Sequence, residues 1–219
     1  ASEGVRVRVL PDRFGSTWAV VGGLFRSTLR RAQAVAKGKL SFQIVGWTQA
    51  NLFKRQFQIN LRNHRKLLIV DGRDAFCGGV NLSDSNRTSD TRIAIRDYHF
   101  HCRGPIVHEL QYTFLRDWYF MTSESPEELL RADYFPRDRS DGRHLCRLIN
   151  SGPGDEYRVI SDAVFQALAL ARREVIAVTP YFVPTPDIQQ AFRSTSLRGV
   201  DVRLIVPERC NHWFAGQAA

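Results

Sequence analysis

The stretch Asn63–Asn81 reads N-H-R-K-L-L-I-V-D-G-R-D-A-F-C-G-G-V-N. It contains the strongest structural signals in the sequence, and the prediction of the fold starts from it. Its apolar run Leu67–Val70 ends at Asp71-Gly72, a dipeptide that favours a tight turn between two strands. A second short apolar run follows this turn and stops at a pair of glycines. The stretch is therefore predicted to form a β-hairpin.

Three polar side chains of this hairpin are predicted to meet at one end of the sheet. His64 and Lys66 stand two residues apart at the entry to the first strand, so both side chains leave on the same face. Asn81 follows the second strand and returns to the same end. Such a group suits a phosphate ester, because the imidazole can attack phosphorus or move a proton. The ammonium, the amide and nearby glycine N–H groups can hold the phosphoryl oxygens meanwhile.

The spacing of the motif is more informative than its residues taken singly. A lone H-x-K triplet arises often by chance, and its ordinary interpretation is a basic strand edge before a tight hairpin. The complete pattern, H-x-K-x4-D-x6-G-G-x-N, is far more demanding and resembles the signature of the phospholipase D superfamily. Further segments resemble bacterial cardiolipin synthases: Arg96-Asp97, D-W-Y-F at 117–120 and T-P-Y-F-V-P at 179–184. The resemblance covers nearly the whole chain.

The resemblance implies two such motifs, one in each of two lobes, facing each other across a cleft. One histidine attacks phosphorus and forms a phosphohistidine, while the other protonates the leaving alkoxide and then deprotonates the acceptor alcohol. We assign His64 as the nucleophile, with the acid–base role as the alternative assignment. Lys66 and Asn81 are assigned the role of holding the phosphoryl oxygens. This mechanism requires no metal and no cofactor.

The assignment of His64 as the nucleophile leads to predicted roles for the carboxylates and the remaining site residues. A nucleophilic histidine needs an acceptor for its second ring nitrogen. Asp71 belongs to the motif, but about 20 Å of extended strand separate it from the histidine, so it is predicted to pin the turn. Asp97, at the start of a neighbouring strand, is our choice for the orienting carboxylate. Gly78 and Gly79 are predicted to contact substrate, and His99 either lines the cleft or is a structural histidine.

The rest of the chain reads as an alternation of strands, amphipathic helices and loops. Strands are predicted at Val5–Leu10, Ser41–Val45, Ile93–Cys102, Leu145–Ile149, Val175–Val178 and Val200–Val206. Helices are predicted at Gly22–Ala36, from Pro105 onward, at Pro126–Ala132, at Asp155–Arg172 and at Pro186–Leu197, with loops at Trp47–Arg62 and Ser83–Arg92. With the resemblance, this pattern predicts an α/β class of phospholipase D-like α/β/α sandwich lobes with mixed, largely parallel sheets.

An internal repeat bears on the domain organisation. Gly4–Asp12 parallels Gly199–Pro207, roughly 195 residues further along the chain. We therefore expect a first lobe over residues 1–136, which carries the motif and lacks its own start. Residues 137–219 are expected to hold a linker and the beginning of a second lobe. The same offset places the second motif about forty residues past the last residue of the sequence.

The composition limits the partners of the protein. The 219 residues carry a formal charge of +9, which favours anionic lipid surfaces or nucleic acid. No apolar run approaches the length of a membrane span, and the four cysteines are scattered without a spacing typical of disulfide frameworks or zinc sites. Any membrane anchor is therefore expected outside this sequence.

The function implied by the resemblance is that of a phosphatidyltransferase, which joins two phosphatidylglycerols into cardiolipin plus glycerol. Its expected partners are phosphatidylglycerol and the anionic surface of the bacterial inner membrane, on the cytoplasmic side, without nucleic acid. A phospholipase D-type phosphodiesterase that hydrolyses phospholipid or nucleic acid is one alternative. A non-catalytic fragment that binds anionic membranes is another. Ile95 and the loop Ser83–Arg92 depart from the family pattern, which leaves the acceptor alcohol open.

Overall fold

The computed structural model describes residues 5–12, 41–44, 50–51, 56–57, 63–81, 86, 97–137, 142–151 and 158–207. The chain divides into two compact units, Ala1–Leu148 and Ile149–Ala219. Each unit combines strands with helices, so the predicted α/β class is confirmed. The α/β/α sandwich and the assignment of lobes to residues 1–136 and 137–219 stay predictions.

The first unit contains seven strands and two α-helices among its described residues. The strands are β1 (Arg6–Val9), β2 (Ser41–Ile44), β3 (Ala50–Asn51), β4 (Gln56–Phe57), β5 (Lys66–Val70), β6 (Asp74–Gly78) and β7 (His99–Arg103). The helices are α1 (Ile106–Thr122) and α2 (Pro126–Leu129), followed by a 3-10 helix at Ala132–Tyr134. β1 pairs parallel with β2, β3 pairs antiparallel with β4, and β5, β6 and β7 form an antiparallel sheet in that order.

The predicted hairpin is present as β5 and β6. Asp71 and Gly72 both adopt positive φ, at 53° and 64°, and the Arg73 N–H donates to the Val70 carbonyl oxygen at 3.0 Å. Two successive left-handed residues are what a type I′ turn requires, and Asp and Gly are residues that tolerate this conformation. Gly72 is also buried, and a Cβ at this position would collide with the carbonyl oxygen of Tyr134.

One face of the β5–β6–β7 sheet packs against α1. The buried centre of this contact is Ala75, Val107 and Leu110, surrounded by Leu67, Ile69, Cys77, Cys102, Ile106 and Leu148. Alternate residues of a strand point to opposite faces. Lys66 and Leu68 therefore lie on the face turned away from α1, and 58% of Leu68 is exposed there. The motif lysine consequently stands on the open face of the sheet.

Helix α1 contributes to two apolar clusters and carries one buried acid. The first cluster is the contact with the sheet just described, and the second is formed by Leu115, Trp118 and Leu129. It follows Gly104 and ends at Ser123, whose φ is 59° and whose N–H donates to the Tyr119 carbonyl oxygen. Its buried residues are Val107, Leu110, Thr113, Leu115, Asp117 and Trp118. A buried carboxylate such as that of Asp117 needs hydrogen-bond partners to offset its lost hydration. Those partners lie in the motif, as described below.

Strand β1 is held beside the second apolar cluster by Arg8. The Arg8 guanidinium donates to Glu124 at 2.6 Å and to the Tyr134 hydroxyl at 2.9 Å, and it lies 5.8 Å from the centre of the Trp118 ring. The indole N–H of Trp118 donates in turn to Glu124 at 2.8 Å. These contacts fix the strand whose end leads to Asp12.

The second unit contains the two strands and two helices that the sequence predicts after residue 155, with small shifts at their ends. Its elements are α3 (Val159–Leu170), β8 (Glu174–Val178), α4 (Pro186–Leu197) and β9 (Asp201–Ile205). β8 and β9 pair in parallel, with Glu174 opposite Asp201. The Thr195 hydroxyl is fully buried, and Arg198 donates to the Leu168 carbonyl oxygen at 2.8 Å, which ties α4 to the end of α3.

Several predicted elements differ from the structure. The predicted loop Trp47–Arg62 contains the short strands β3 and β4. The predicted strand Leu145–Ile149 is not a strand: the described residues 142–151 form no ladder, and Leu148 packs against the first apolar cluster instead. A short apolar run becomes a strand only where a neighbouring edge offers hydrogen bonds, which a local pattern does not specify.

Other boundaries shift, or fall outside the described residues. The strand predicted at Ile93–Cys102 is observed from His99, and residues 93–96 lie outside the described part of the chain. The predicted helix Gly22–Ala36 and nearly all of the loop Ser83–Arg92 lie outside it as well. Among the described strands, two pairings are parallel and three are antiparallel, and each described sheet has pairings of one kind, so these sheets are neither mixed nor largely parallel. In the described ranges no helix has the length and apolarity needed to cross a membrane.

Candidate active site

Lys66, Gly78 and His99 lie in one row across the three strands of the sheet. Lys66 is opposite Gly78 in the β5–β6 pair, and Gly78 is opposite His99 in the β6–β7 pair. Two inter-strand spacings put the Cα atoms of Lys66 and His99 about 10 Å apart. We call this row, with the residues leading into and out of it, the motif end of the sheet. The opposite end, at residues 71–74, is the turn end.

The backbone of His64 and of Asn81 lies at the motif end. His64 comes two residues before the row and is exposed, and its carbonyl oxygen accepts a hydrogen bond from Lys66 Nζ at 2.9 Å. Asn81 comes three residues after Gly78 and is also exposed. The structure thus places the three motif residues where the hairpin begins and ends, and their catalytic roles stay predictions.

The glycine pair lets the start of β7 approach β6 closely. A Cβ on Gly78 would meet the Tyr98 carbonyl oxygen, and one on Gly79 would meet the Asp97 carboxylate. The Gly79 N–H donates to the Tyr98 carbonyl oxygen at 2.9 Å, so this donor is engaged within the sheet. The contact seen for Gly79 is therefore with Asp97, and the substrate contacts predicted for the pair stay predictions.

Asp97 stands at the motif end, close to the lysine. Its Oδ1 accepts a hydrogen bond from the Tyr98 N–H at 2.7 Å, and its negative charge acts on Lys66. Within the described residues its carboxylate makes no hydrogen bond to His64. The proposed role of Asp97 in holding the His64 ring is thus an expectation for the working enzyme.

The Lys66 ammonium is partly desolvated. Burial lowers the pKa of Lys66 from its ordinary value, and the charges of Asp97 and Asp12 raise it part of the way back. Burial disfavours a cation unless an anion accompanies it, so a bound phosphate group would favour the charged lysine further. Asp12 was not predicted as a site residue, although it belongs to the internal repeat. The only signal in the sequence was its position just after a predicted strand, where site residues often lie.

Asp71 is separated from the other motif residues. It lies in the turn at φ 53°, about 17 Å along β5 from Lys66 at the rise of an antiparallel strand. The structure therefore brings His64, Lys66, Asn81, Asp97 and His99 to one end of the sheet and leaves Asp71 at the other.

A buried carboxylate that sequence reasoning missed lies behind the motif. Asp117 Oδ2 accepts hydrogen bonds from Asn63 Nδ2 at 2.8 Å and from Arg65 Nη1 at 2.9 Å. Asn63 Oδ1 accepts a further hydrogen bond from the Arg65 N–H at 3.1 Å. Burial raises the pKa of Asp117, and the nearby cations of Arg65 and Arg116 partly offset that effect. The signal in the sequence was an acid on the apolar stripe of a helix.

A second polar group lies on the same sheet, between its middle row and the turn end. Asp74 accepts hydrogen bonds from His101 Nε2 and Arg103 Nε, both at 2.6 Å, and these partners lower the pKa of Asp74. The His101 ring stacks on Phe76 with the ring centres 4.5 Å apart. In the described part of the chain, no group of three or more His, Cys, Asp and Glu side chains could hold a metal ion.

Comparison with known proteins gives the family. No family model matches the chain. It is 36% identical over 212 residues to the cardiolipin synthase of Geobacillus kaustophilus, which covers 95% of this chain and 40% of that protein. It is 37% identical over 213 residues to cardiolipin synthase A of Pseudomonas fluorescens, covering 97% of this chain and 41% of that protein. It is 36% identical over 220 residues to cardiolipin synthase A of Pseudomonas syringae pv. syringae, and the alignment covers 100% of this chain and 43% of that protein.

These alignments are long enough, at this identity, to establish common ancestry, and they include the motif hairpin. The chain spans about two fifths of the length of the curated relatives it matches. The chain therefore belongs to the cardiolipin synthase-like proteins of the phospholipase D superfamily.

Proposed function

We propose that this chain is part of a phosphatidyltransferase that joins two phosphatidylglycerols into cardiolipin and releases glycerol. The observation that carries the proposal is its similarity, along nearly its whole length, to proteins named cardiolipin synthases. The placement of His64, Lys66 and Asn81 at one end of the hairpin supports it, because a phosphoryl group needs a nucleophile and cationic or amide donors together.

The proposed reaction has two displacement steps at phosphorus. In the first, a ring nitrogen of His64 bonds to phosphorus while the bond from phosphorus to the glycerol oxygen breaks, and a general acid protonates that oxygen. In the second, the same group takes the proton from a hydroxyl of the acceptor phosphatidylglycerol, whose oxygen displaces His64. Lys66 and Asn81 stabilise the charge on the phosphoryl oxygens in both steps. Asp97 holds the second nitrogen of the His64 ring.

The acid–base group is assigned to a second histidine in a second motif. The internal repeat predicts that motif beyond residue 219, in a second lobe. General acid–base catalysis is typically worth 10²–10⁴-fold, so we expect residues 1–219 alone to turn over phosphatidylglycerol negligibly. Extending the chain through the second motif should restore activity, and substituting the new histidine should remove it. Robust turnover by monomeric 1–219 would refute the two-motif mechanism.

The proposed setting is the cytoplasmic face of the bacterial inner membrane. The formal charge of +9 supports an anionic surface as the partner, since each Lys or Arg near such a surface contributes about 1 kcal/mol of attraction. The same charge would also suit nucleic acid, so the substrate test includes both polyanions.

The test uses the longer protein that contains this chain and vesicles of phosphatidylglycerol. We expect cardiolipin and glycerol in equal amounts. We also expect a phosphatidyl group on His64, detected by mass spectrometry in samples quenched with detergent at neutral pH, because the bond between phosphorus and the ring nitrogen is labile to acid. His64→Gln should abolish all three signals, while the matched control His101→Gln, on the same sheet, should keep them. Release of phosphatidic acid without cardiolipin would identify a hydrolase instead. Cleavage of single-stranded DNA without action on lipid would identify a nucleic-acid phosphodiesterase.

A further inference from the structure

The segment that leads into β5 is tied to helix α1 on both sides of His64. The residue before the histidine, Asn63, and the residue after it, Arg65, both donate to Oδ2 of Asp117, at 2.8 and 2.9 Å. Asp117 lies 54 residues further along the chain than Asn63. One oxygen atom on a helix thus holds both neighbours of the motif histidine.

These contacts determine which way His64 faces. Residues 65, 67 and 69 point toward α1, because Leu67 and Ile69 pack in the cluster formed with that helix. Asn63 continues the same series, and its contact with Asp117 keeps it on the helix side. In an extended strand a shift by one residue would reverse every side chain. Lys66 therefore lies on the open face, and if the same alternation continues through residues 63–65, we infer that His64 faces the same way.

The anchor itself is rigid. Asp117 is 7% exposed and is followed on the helix by Trp118, which is 1% exposed. Lys66 adds a further restraint from the open side, because its Nζ donates to the His64 carbonyl oxygen at 2.9 Å. Side-chain and backbone groups of residues 63–66 are thus restrained from both faces of the sheet.

We propose that Asp117 is a positioning residue for the reaction, which holds Asn63 and Arg65 against α1 so that His64 is aligned for attack on phosphorus. A buried ion pair adds little net stability compared with apolar residues of similar volume, so stability alone is a weak reason for an acid at this position. Alignment is a stronger one, because a displacement of about 1 Å at a reacting group can lower turnover about 10²-fold. The kinetic part of this inference rests on the proposed function, and the structural part does not.

The experiment combines kinetics with NMR of labelled histidine in the longer protein that contains this chain. Asp117→Asn keeps the size of the side chain and removes its charge, so it should lower kcat about 10²-fold with KM within about twofold. The His64 ring signal, assigned by its loss in His64→Gln, should broaden or split in Asp117→Asn. The His101 signal should stay unchanged, because Asp74 holds that ring through a hydrogen bond that does not involve the segment tied to Asp117.

Two further variants separate positioning from stability. Leu129→Ala removes a buried side chain of the second apolar cluster and leaves Asp117 and its two donors in place. It should lower the thermal midpoint, with kcat per folded molecule and the His64 signal unchanged. Asn63→Ala and Arg65→Ala each remove one donor and leave the carboxylate in place. Each variant should show part of the kcat loss and part of the broadening or splitting of the His64 ring signal. If Asp117→Asn does not fold, these two variants test the positioning role instead.

Defined results would overturn the inference. A folded Asp117→Asn protein with wild-type kcat and an unchanged His64 signal would show that the anchor does not position the histidine. A kcat loss matched by Leu129→Ala at equal destabilisation would assign Asp117 to stability. If the wild-type protein forms no cardiolipin, the proposed function fails, and the His64 signal alone decides whether Asp117 positions the ring.

Discussion

The β5–β6–β7 sheet carries a histidine, a basic side chain and a carboxylate at its motif end, and a second such group on the same face. The second group extends from His101 in the middle row to Asp74 and Arg103 at the turn end. In this second group, His101 and Arg103 both donate directly to Asp74, and the three side chains are exposed or half-buried. At the motif end, Lys66 donates to a backbone carbonyl oxygen, and its pKa is lowered by burial.

The support behind the two ends also differs. The turn is closed by local backbone chemistry, whereas the motif end is fixed from behind by a buried acid on α1 and from the side by a glycine pair that admits Asp97. Groups of the same kind therefore form a satisfied surface cluster in one place and a candidate active site in the other. The difference lies in partial desolvation and in a rigid supporting layer, which keep reactive groups available and aligned.

The sharpest test of this comparison replaces one histidine of each polar group. His64→Gln should lower cardiolipin formation by about 10³-fold or more, because the nucleophile is removed. His101→Gln should change the rate less than about twofold, since Asp74 keeps Arg103 as a partner. The measurement is the initial rate of cardiolipin formation by the longer protein. Comparable losses in the two variants would show that the two groups do not differ in function.

A second test compares the two aspartates assigned to opposite ends. Asp97→Asn should lower turnover by about 10²–10⁴-fold if its carboxylate orients the His64 ring. Asp71→Asn should act through stability, because Asp71 lies in the turn at positive φ. Turnover and thermal midpoint measured for both variants decide between them. Equal turnover in wild type and Asp97→Asn would refute the role given to Asp97.

A third test uses one glycine from each end. Gly72→Ala should lower the free energy of unfolding by at least about 1–2 kcal/mol, because alanine must adopt a left-handed conformation. Its Cβ would also collide with the Tyr134 carbonyl oxygen. Gly79→Ala should instead displace the Asp97 carboxylate and lower turnover. Urea titration and turnover kinetics should be measured on both variants. If Gly79→Ala lowered the free energy of unfolding but kept normal turnover per folded molecule, the role given to Gly79 would be wrong.

The smallest effect concerns pH, where Asp74 and Asp117 are expected to act with opposite sign. Arg103 and His101 lower the pKa of Asp74, so its contribution to stability is present above the unfolded pKa and lost as pH falls through the folded value. Burial raises the pKa of Asp117, so its contribution is present below the unfolded pKa and lost as pH rises through the folded value.

Urea unfolding between about pH 3 and pH 7 measures both contributions, since carboxyl groups titrate in this range. Asp74→Asn should flatten the rise of stability with pH on the acid side. Asp117→Asn should make the free energy of unfolding rise more steeply with pH in the range just above the ordinary pKa of a carboxyl group. A change of the same sign in both variants would contradict the environments described for the two acids.

Much of the motif hairpin was predictable because its determinants are local. The Asp71-Gly72 dipeptide specifies the turn, the turn specifies the register, and alternation then places Lys66 on one face and Leu67 on the other. The spacing of His64, Lys66 and Asn81 identified the superfamily, which the comparison with cardiolipin synthases confirms. Each of these inferences uses residues within about twenty positions of one another, where turn chemistry and strand period are sufficient.

Only the tertiary structure showed which distant residues support the site. Asp117 contacts the motif across 54 positions, and Asp12 acts on Lys66 from the end of β1. The run Leu145–Ile149 had a strand-like composition but found no strand partner, and Leu148 joined the core instead. A local pattern states which groups must be buried or paired. It leaves the partner open, because burial and hydrogen bonding can be satisfied by any surface the folded chain brings near.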